Sequence, residues 1–569
     1  MKSNEKLIIA YDEEDVIYYV NRFGGNLEQY SIYLCGYDYY KFKNHTDGFK
    51  KVYTIEDMWG TFKAKGIFEE VGNVATLFSR NLSDRFCENE KVTAIIPYFT
   101  IQHLWPYLRA VFEVEAVISE LSPEIIYARV SNHSQIIALG NSENKLRSIF
   151  DYESLYRTAT LRVVENLKIQ KIFFRESRLK NLFKLIVRNF VHRLSGIYKF
   201  LSFFKTALKN KKSTKLEKGG VLFLSQSPVH ESLIKNIAMS ANLAILRDYA
   251  ISVRKDAYSI DEKRHNLSKF RDRIKGWNFF DELELDCSTY VYKYKSIDLS
   301  KDILELLRQV YRMFPEYHNV HSSLMYIVKN VRPEHVYFGN DQVFSSMVMI
   351  GLCKEFGVPT STVQHGWVGN PPINNVPLQS DSFEYFNNFT RDLFLKYGEN
   401  PDKLAPTRKK NNVDYISNAD KWCSNVTQIT LISQGFIPYR DFAFLSFIEL
   451  AECFPTIDFV VRLSPRDKAL PVQTSLPNVF FDCTNPISEV IARSSIVIGF
   501  NSTVLFEAML DNTPVFTFDL PFESENPFIS RVNLLDKSNW GESVCKFLES
   551  SDFREEHQKQ QNKLLRQLL

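Results

Sequence analysis

The chain has 569 residues, 44% apolar and 24% charged, and its 70 Lys and Arg against 67 Asp and Glu leave a net charge of +3. That length exceeds one hydrophobic core and implies three or four domains, while the composition excludes a disordered chain and gives no general case for nucleic-acid binding. The eight cysteines form no Cys-x-x-Cys pair, which argues against a disulfide framework or zinc site and fits a reducing compartment.

The first segment, 1–172, opens on a short polar stretch and a five-residue apolar run, too brief for a signal-peptide core. Strands are expected at Leu7–Tyr11, Ser31–Cys35, Val92–Tyr98 and Glu124–Arg129, alternating with helical patterns, the signature of a parallel α/β sheet. Leu121-Ser-Pro-Glu-Ile-Ile-Tyr127 echoes Val331-Arg-Pro-Glu-His-Val-Tyr337, a faint sign of duplication. The second segment, 173–218, carries an apolar stripe through Leu179, Phe183, Ile186, Phe190, Leu194, Ile197, Leu201, Phe204 and Leu208, flanked by thirteen Lys and Arg and only two acids. A basic amphipathic helix of this kind, 178–212, can lie on an anionic membrane surface, or it can pack into a core with a solvated basic face. Lys209 to Gly220 reads as a linker. No window approaches the roughly twenty apolar residues that span a bilayer. The expectation is a cytoplasmic protein, which the membrane-bound alternative for that helix would make peripheral to the inner face of the cytoplasmic membrane.

The third segment, 219–412, restarts with the strand Val221–Leu224 and later offers two strand ends tipped with polar groups. One is Val336-Tyr-Phe-Gly-Asn340-Asp341, followed by an apolar helix over 343–356. The other is the apolar run that ends in Gln364-His365-Gly366-Trp367. In a doubly wound sheet, ligands bind beyond the carboxyl ends of the strands. Asn340, Asp341, Gln364 and His365 therefore read as one side of a site. The fourth segment, 413–569, shows strands at Ile429–Ser433, Phe459–Leu463, Val479–Phe481, Ile496–Ile498 and Val515–Phe518. It also shows a helix at Arg440–Cys453 and a helix start with Asn485 as cap and Pro486 at its first position. Ser433-Gln434-Gly435 lines the same site or is a simple strand-to-helix turn.

The strongest partner motif is Ile498-Gly-Phe-Asn501-Ser502-Thr503-Val-Leu-Phe-Glu507-Ala, followed by Pro514-Val515. A buried strand ends in glycine and a polar turn opens a helix, with Asn501 or Ser502 as cap. The amides and dipole of such a start attract a phosphate. Ser502 and Thr503 are expected to meet phosphates, and Glu507, one turn later on the same face, to accept from ribose hydroxyls.

Taken together, Asn340-Asp341, Gln364-His365-Gly366 and Asn501 to Glu507 with Pro514-Val515 resemble the GT-B-type glycosyltransferases of the bacterial surface-polysaccharide group, which builds capsule and lipopolysaccharide. The likeness runs over about 330–520 and is distantly close to the capsule Kdo and sialic-acid transferases. It implies an α/β fold with two Rossmann-like domains facing a cleft, plus an additional N-terminal α/β domain. Residues 219–412 would form the acceptor side, with Asn340, Gln364, Gly366 and Trp367. Residues 413–569 would hold a nucleotide-sugar donor through Ser502, Thr503, Glu507, Asn501, Ser433 and Gln434. Asp341 and His365 would face the reacting sugar, either one able to act as base.

The chain departs from many of those enzymes at Arg462-Leu-Ser464-Pro465-Arg466, where they carry His-Pro. Arg462 and Arg466 can instead balance phosphate charge, although Arg466 as a plain surface charge fits equally. No Asp-x-Asp stands at a strand end, so neither metal nor other cofactor is expected. The implied partners are a nucleotide-sugar donor and a glycan or lipid-linked glycan acceptor. The competing readings are a non-catalytic scaffold of the same fold, a polyol-phosphate transferase and a sugar-nucleotide 2-epimerase. The epimerase pattern asks for His-x-Glu-Ala-Gly where this chain has Gln364-His-Gly-Trp.

Overall fold

The computed structural model describes residues 5–36, 42–85, 104–130, 152–167, 169–175, 219–225, 243–247, 258–259, 293–303, 327–372, 375–407, 419–422, 425–434, 440–464, 474–520, 526–535 and 540–569, with a few isolated positions besides. Three parallel sheets run through them. The first contains β1 (Lys6–Ala10), β2 (Tyr30–Leu34), β3 (Lys51–Thr54), β4 (Ile125–Val130) and β5 (Gln170–Arg175), in the order β3-β2-β1-β4-β5. Its neighbouring strands are all parallel. Leu7, Ile8, Ile9 and Ala10 are buried without exception, as a strand covered on both faces requires. The helices around it are α1 (Glu13–Phe23), α2 (Ile55–Ala64), α3 (Ile67–Arg85), α4 (Trp105–Leu121) and α5 (Tyr152–Asn166). Asp12 caps α1, accepting from the Asp15 amide at 2.8 Å, and Thr54 with Asp57 forms a capping box on α2.

One expectation changes here. Phe173–Arg175 had been counted with the basic helix, but they are the last residues of β5, so the first sheet runs past residue 172. The rest of that helix, 178–212, and the expected strand Val92–Tyr98 lie outside the described residues. Among the described residues, no helix is long and apolar enough to cross a membrane.

The second sheet uses β6 (Val221–Ser225), β7 (Leu243–Arg247) and β8 (Tyr258–Ser259). After a separate antiparallel hairpin of β9 (Lys293–Tyr294) and β10 (Ile297–Asp298), it continues with β11 (His335–Phe338), β12 (Thr360–Val363), β13 (Ser382–Tyr385) and β14 (Leu404–Pro406). Helices α6 (Phe344–Glu355) and α7 (Asn388–Lys396) accompany it. The order is β14-β13-β12-β11-β6-β7-β8. Counted from its own first strand, that is the order of the first sheet extended by two strands. The Pro-Glu echo marks the same place in both. Ser122 (φ 42°) and Arg332 (φ 48°) each end a helix in the left-handed region. The amide of Glu124 then donates to the carbonyl of Glu5 (2.9 Å) and that of Glu334 to Gly220 (2.8 Å), just ahead of β1 and β6. Both sheets thus admit their fourth strand by one local device.

These two sheets share a single core. Phe112 stacks on Tyr294 with ring centres 3.6 Å apart, and buried Asp302 accepts from Tyr107 and Arg162, each at 2.6 Å. Residues 1–365, 372–384 and 394–405 form one compact unit.

The second unit comprises 366–371, 385–393 and 406–569. Its sheet contains β15 (Gln428–Ile432), β16 (Asp458–Arg462), β17 (Val479–Asp482), β18 (Ile496–Gly499), β19 (Val515–Phe518) and β20 (Leu534–Leu535), in the order β17-β16-β15-β18-β19-β20. The helices are α8 (Arg440–Cys453), α9 (Ile487–Arg493), α10 (Thr503–Leu510), α11 (Trp540–Glu549) and α12 (Ser551–Leu568). Pro486, not Asn485, is the N-cap of α9. The Asn485 amide instead turns back to Asp482, which also binds the Thr484 amide. Each of the three sheets therefore has the doubly wound order in which the first and fourth strands lie side by side.

α12 contributes a buried histidine to this unit. His557 donates from Nε2 to the Val515 carbonyl (3.0 Å) and is edged by Phe516, Phe547 and Trp422. Burial pushes its imidazole down to about 4. The unfolded chain therefore takes up this proton before the folded one as pH falls. Stability of the unit is expected to decline between pH 6.5 and 4, by about 3 kcal/mol from this residue. Urea unfolding at pH 7 and pH 4.5 measures it. His557→Leu should flatten the difference, and a wild-type stability independent of pH over that range would refute a neutral buried imidazole.

Candidate functional site

In the first unit the switch between strand directions lies at β6 and β11, with β12 next to β11. The turn after β11 is built by its own side chains. Asn340 Oδ1 accepts from the Gln342 amide (2.8 Å), an Asx turn that lifts Gly339 to Gln342 out of the sheet. Asp341 is wholly buried. Its Oδ2 accepts from the amides of Gln379 (2.8 Å) and Ser380 (3.2 Å) and from the Ser380 hydroxyl (3.2 Å). Its Oδ1 has no hydrogen-bond partner among the described residues. Burial raises this carboxyl above its ordinary value, against the lowering effect of the Ser380 and Gln379 amides. Asp341 thus stands where the sequence puts it, but facing inward and holding a loop.

His365 follows β12. Its Nδ1 lies 2.6 Å from the carbonyl oxygen of Gly339. A carbonyl only accepts, so Nδ1 carries the proton and the basic lone pair sits on Nε2. Burial holds the imidazole below its ordinary value, outweighing the bond to Gly339. The ring is therefore neutral near pH 7 and fixed in the tautomer of a proton acceptor. Gln364 is buried, and its backbone amide donates to the Glu384 carbonyl (2.9 Å).

In the second unit the same switch falls between β15 and β18. Gly499 ends β18, where a Cβ would stand 3.0 Å from a Leu505 methyl. Ser502, in extended backbone, caps α10, its Oγ accepting from the Val504 amide (3.3 Å). Ser502 rather than Asn501 is the cap. Gln434, past the end of β15, donates from Nε2 to the Asn501 carbonyl. Its Oε1 is buried with no partner among the described residues, an acceptor left for a ligand's donor. Ser433 is buried beside it, its amide donating to the Arg462 carbonyl (2.9 Å).

Four predicted residues sit differently from expectation. Gly366 and Trp367 were assigned to the acceptor-side domain, yet 366–371 belong to the second unit. The Trp367 amide donates to Thr503 Oγ1 (3.0 Å), and its indole packs on Phe389, Phe506 and Phe528 with ring centres 5.0 to 5.2 Å away. Thr503 thereby accepts from the chain itself, a contact that sequence reasoning missed because its partner lies 136 residues earlier. Arg462 donates from Nη1 to the Asp482 carbonyl (3.2 Å), so its guanidinium is turned toward the end of β17. Arg466 lies outside the described residues. Glu507 is exposed on α10 between buried neighbours, and desolvation by surrounding protein raises its carboxyl above the ordinary value. Among the described residues, no cluster of three or more His, Cys, Asp or Glu is arranged to hold a metal ion.

Solved structures of related shape exist. One is UDP-GlcNAc 2-epimerase from Neisseria meningitidis bound to UDP-GlcNAc, 15% identical over 60% of this chain and 94% of that one, with a TM-score of 0.36. Another is HepE of Anabaena in complex with UDP and glucose, 11% identical over 61% and 95%, with a TM-score of 0.36. A third is the glycotransferase of kitacinnamycin, 11% identical over 62% and 100%, with a TM-score of 0.35. No family model matches the chain, and no curated protein does. Identities and scores this low decide nothing about the chemistry, which rests on the geometry above.

Proposed function

We propose that this protein is a GT-B-type glycosyltransferase that moves a sugar from a nucleotide-sugar donor to a lipid-linked glycan acceptor in the making of bacterial capsule or lipopolysaccharide. The observation that carries the reading is His365, neutral and held with its proton on Nδ1 by the Gly339 carbonyl. In this reading Nε2 takes the proton of the acceptor hydroxyl as that oxygen bonds to the anomeric carbon. The bond from that carbon to the donor phosphate breaks, and the phosphate leaves with the electron pair. The α10 start, with Ser502 as its cap and Asn501 and Gln434 beside it, is suited to a phosphate whose charge grows as it leaves. Glu507 would accept from ribose hydroxyls, and Asp341 would position His365 rather than exchange a proton. No metal enters this scheme, and turnover is expected to survive a chelator.

Thermal unfolding with UDP-, GDP-, CMP- and CDP-linked sugars tests this reading, since a ligand specific for the folded chain raises its stability. One nucleotide class should raise the midpoint. Glu507→Ala should weaken that donor about 10- to 150-fold, the worth of one hydrogen bond to a charged group at about 1.5–3 kcal/mol. Nucleotide release should then need an acceptor, and lipid-linked glycans should outpace free ones. Stabilisation by no donor, with no nucleotide released, would leave a scaffold. Conversion of the donor sugar without any acceptor would favour the epimerase.

A further inference from the structure

Among the described residues, one route from the N-terminal layer to the turn that orients His365 starts at Arg80. α3 packs into the core of that sheet with Ile67, Phe68, Val71, Ala75 and Phe78. From its outer face, Arg80 donates through Nη2 to the carbonyls of Tyr397 (2.7 Å) and Gly398 (2.9 Å), the first residues past α7. The last carbonyls of a helix lack partners within it and carry the negative end of its dipole, so a guanidinium there satisfies both. The approach needs glycine at 398. Its φ is +77°, and a Cβ would lie 2.7 Å from Arg80 Nη1. A second tie joins the same two helices, Lys396 to Glu69 at 2.9 Å.

The next residue passes the constraint on. Glu399 is buried 3.8 Å from Arg80, and its Oε1 accepts from the Leu378 amide (3.0 Å). Lys403 donates to the Leu378 carbonyl (3.1 Å). The following two amides, Gln379 and Ser380, go to Asp341, and Gln342 donates to the Pro377 carbonyl. Segment 377–380 is thus gripped from both sides. The turn it grips in return is the one whose Gly339 carbonyl takes the Nδ1 proton of His365.

We propose that the N-terminal α/β layer braces the candidate base: Arg80 and Glu399 are positioning residues that fix, through segment 377–380 and Asp341, the turn orienting His365. This gives the layer a task beyond its own core, and it rests on His365 being the base only for its effect on rate.

The test is the imidazole 15N spectrum of the full chain labelled at histidine, with the His365 signals identified by their loss in His365→Gln. Wild type should show the Nδ1-protonated tautomer. Arg80→Met should move the His365 signals and mix the tautomers while the other histidines stay in place, and Arg80→Lys, which can still reach the two carbonyls, should restore them. Glu399→Leu, which removes the acceptor for Leu378, should act like Arg80→Met, whereas Glu399→Gln, which keeps one, should leave the His365 signals close to wild type. His365 signals identical to wild type in folded Arg80→Met or Glu399→Leu, or a change that Arg80→Lys does not reverse, would overturn the proposal. Where nucleotide release is measurable, Arg80→Met should lower kcat and leave the donor KM unchanged. A wild type that transfers nothing sinks the transferase reading alone, because the spectrum reports position without turnover.

Discussion

His365→Ala is expected to lower turnover by about 10²- to 10⁴-fold, the range that a positioned general base contributes. The loss should fall on kcat, with donor affinity unchanged, because the α10 start and Glu507 belong to other elements. The stability cost includes the hydrogen bond to Gly339, worth about 0.5–1.5 kcal/mol net, and denaturant unfolding reads it separately from turnover. The pH profile supplies a second mark. Burial holds the imidazole below its ordinary value of 6.5. Wild-type kcat/KM should therefore stay level down through that pH and fall only when the lower folded value is crossed and Nε2 is protonated. The variant's residual rate should lack that limb. Release of nucleotide from the donor found by thermal shift measures kcat, KM and their pH dependence. Wild-type kcat in the variant would remove His365 from the chemistry.

Much of the scaffold behind this expectation is legible in the sequence, for a physical reason. Short continuous apolar runs bounded by polar residues, such as Leu7 to Ala10 and Ile496 to Ile498, fit strands covered on both faces, and the polar residues that end them mark where a ligand can approach. Helix Arg440–Cys453 and strand Val515–Phe518 fall on their expected bounds. What stayed hidden depends on partners far away in the chain. β3, Lys51-Val-Tyr-Thr, is a four-residue edge strand, too short and mixed to stand out. β5 carries Ile172, Phe173 and Phe174 straight into the basic segment, so its apolar residues blend with the helical stripe. Trp367 sits one residue past His365-Gly366 and yet packs on Phe506, a contact no local pattern announces. The Pro-Glu echo was visible as letters. Only the left-handed Ser122 and Arg332 and the matching bonds to Glu5 and Gly220 show that it is one way of starting a fourth strand.

Asp341 is the residue whose meaning changes most, and substitution there separates the two roles. Asp341→Leu fits an interior site in size but leaves the amides of Gln379 and Ser380 inside the protein without an acceptor. An orphaned buried donor costs about 1–3 kcal/mol, so the first unit is expected to lose about 2–6 kcal/mol. The Ser380 hydroxyl adds little, because it also bonds Thr362 and the Ser382 carbonyl. Asp341→Asn behaves otherwise. The amide oxygen can still accept from both backbone groups, and the substitution removes a charge that burial opposes, as the raised carboxyl indicates. Its stability should fall by about 1–3 kcal/mol, less than that of Asp341→Leu, because its new NH2 stands where Oδ1 finds no partner among the described residues. The two roles then part on rate. If Asp341 anchors the turn, Asp341→Asn retains most of its turnover and keeps the acid limb set by His365, while Asp341→Leu loses stability and turnover together. If Asp341 instead takes a proton from the acceptor, Asp341→Asn must be inactive although folded. Denaturant midpoints and nucleotide release on the two variants decide between them, and an inactive, folded Asp341→Asn would return Asp341 to the chemistry.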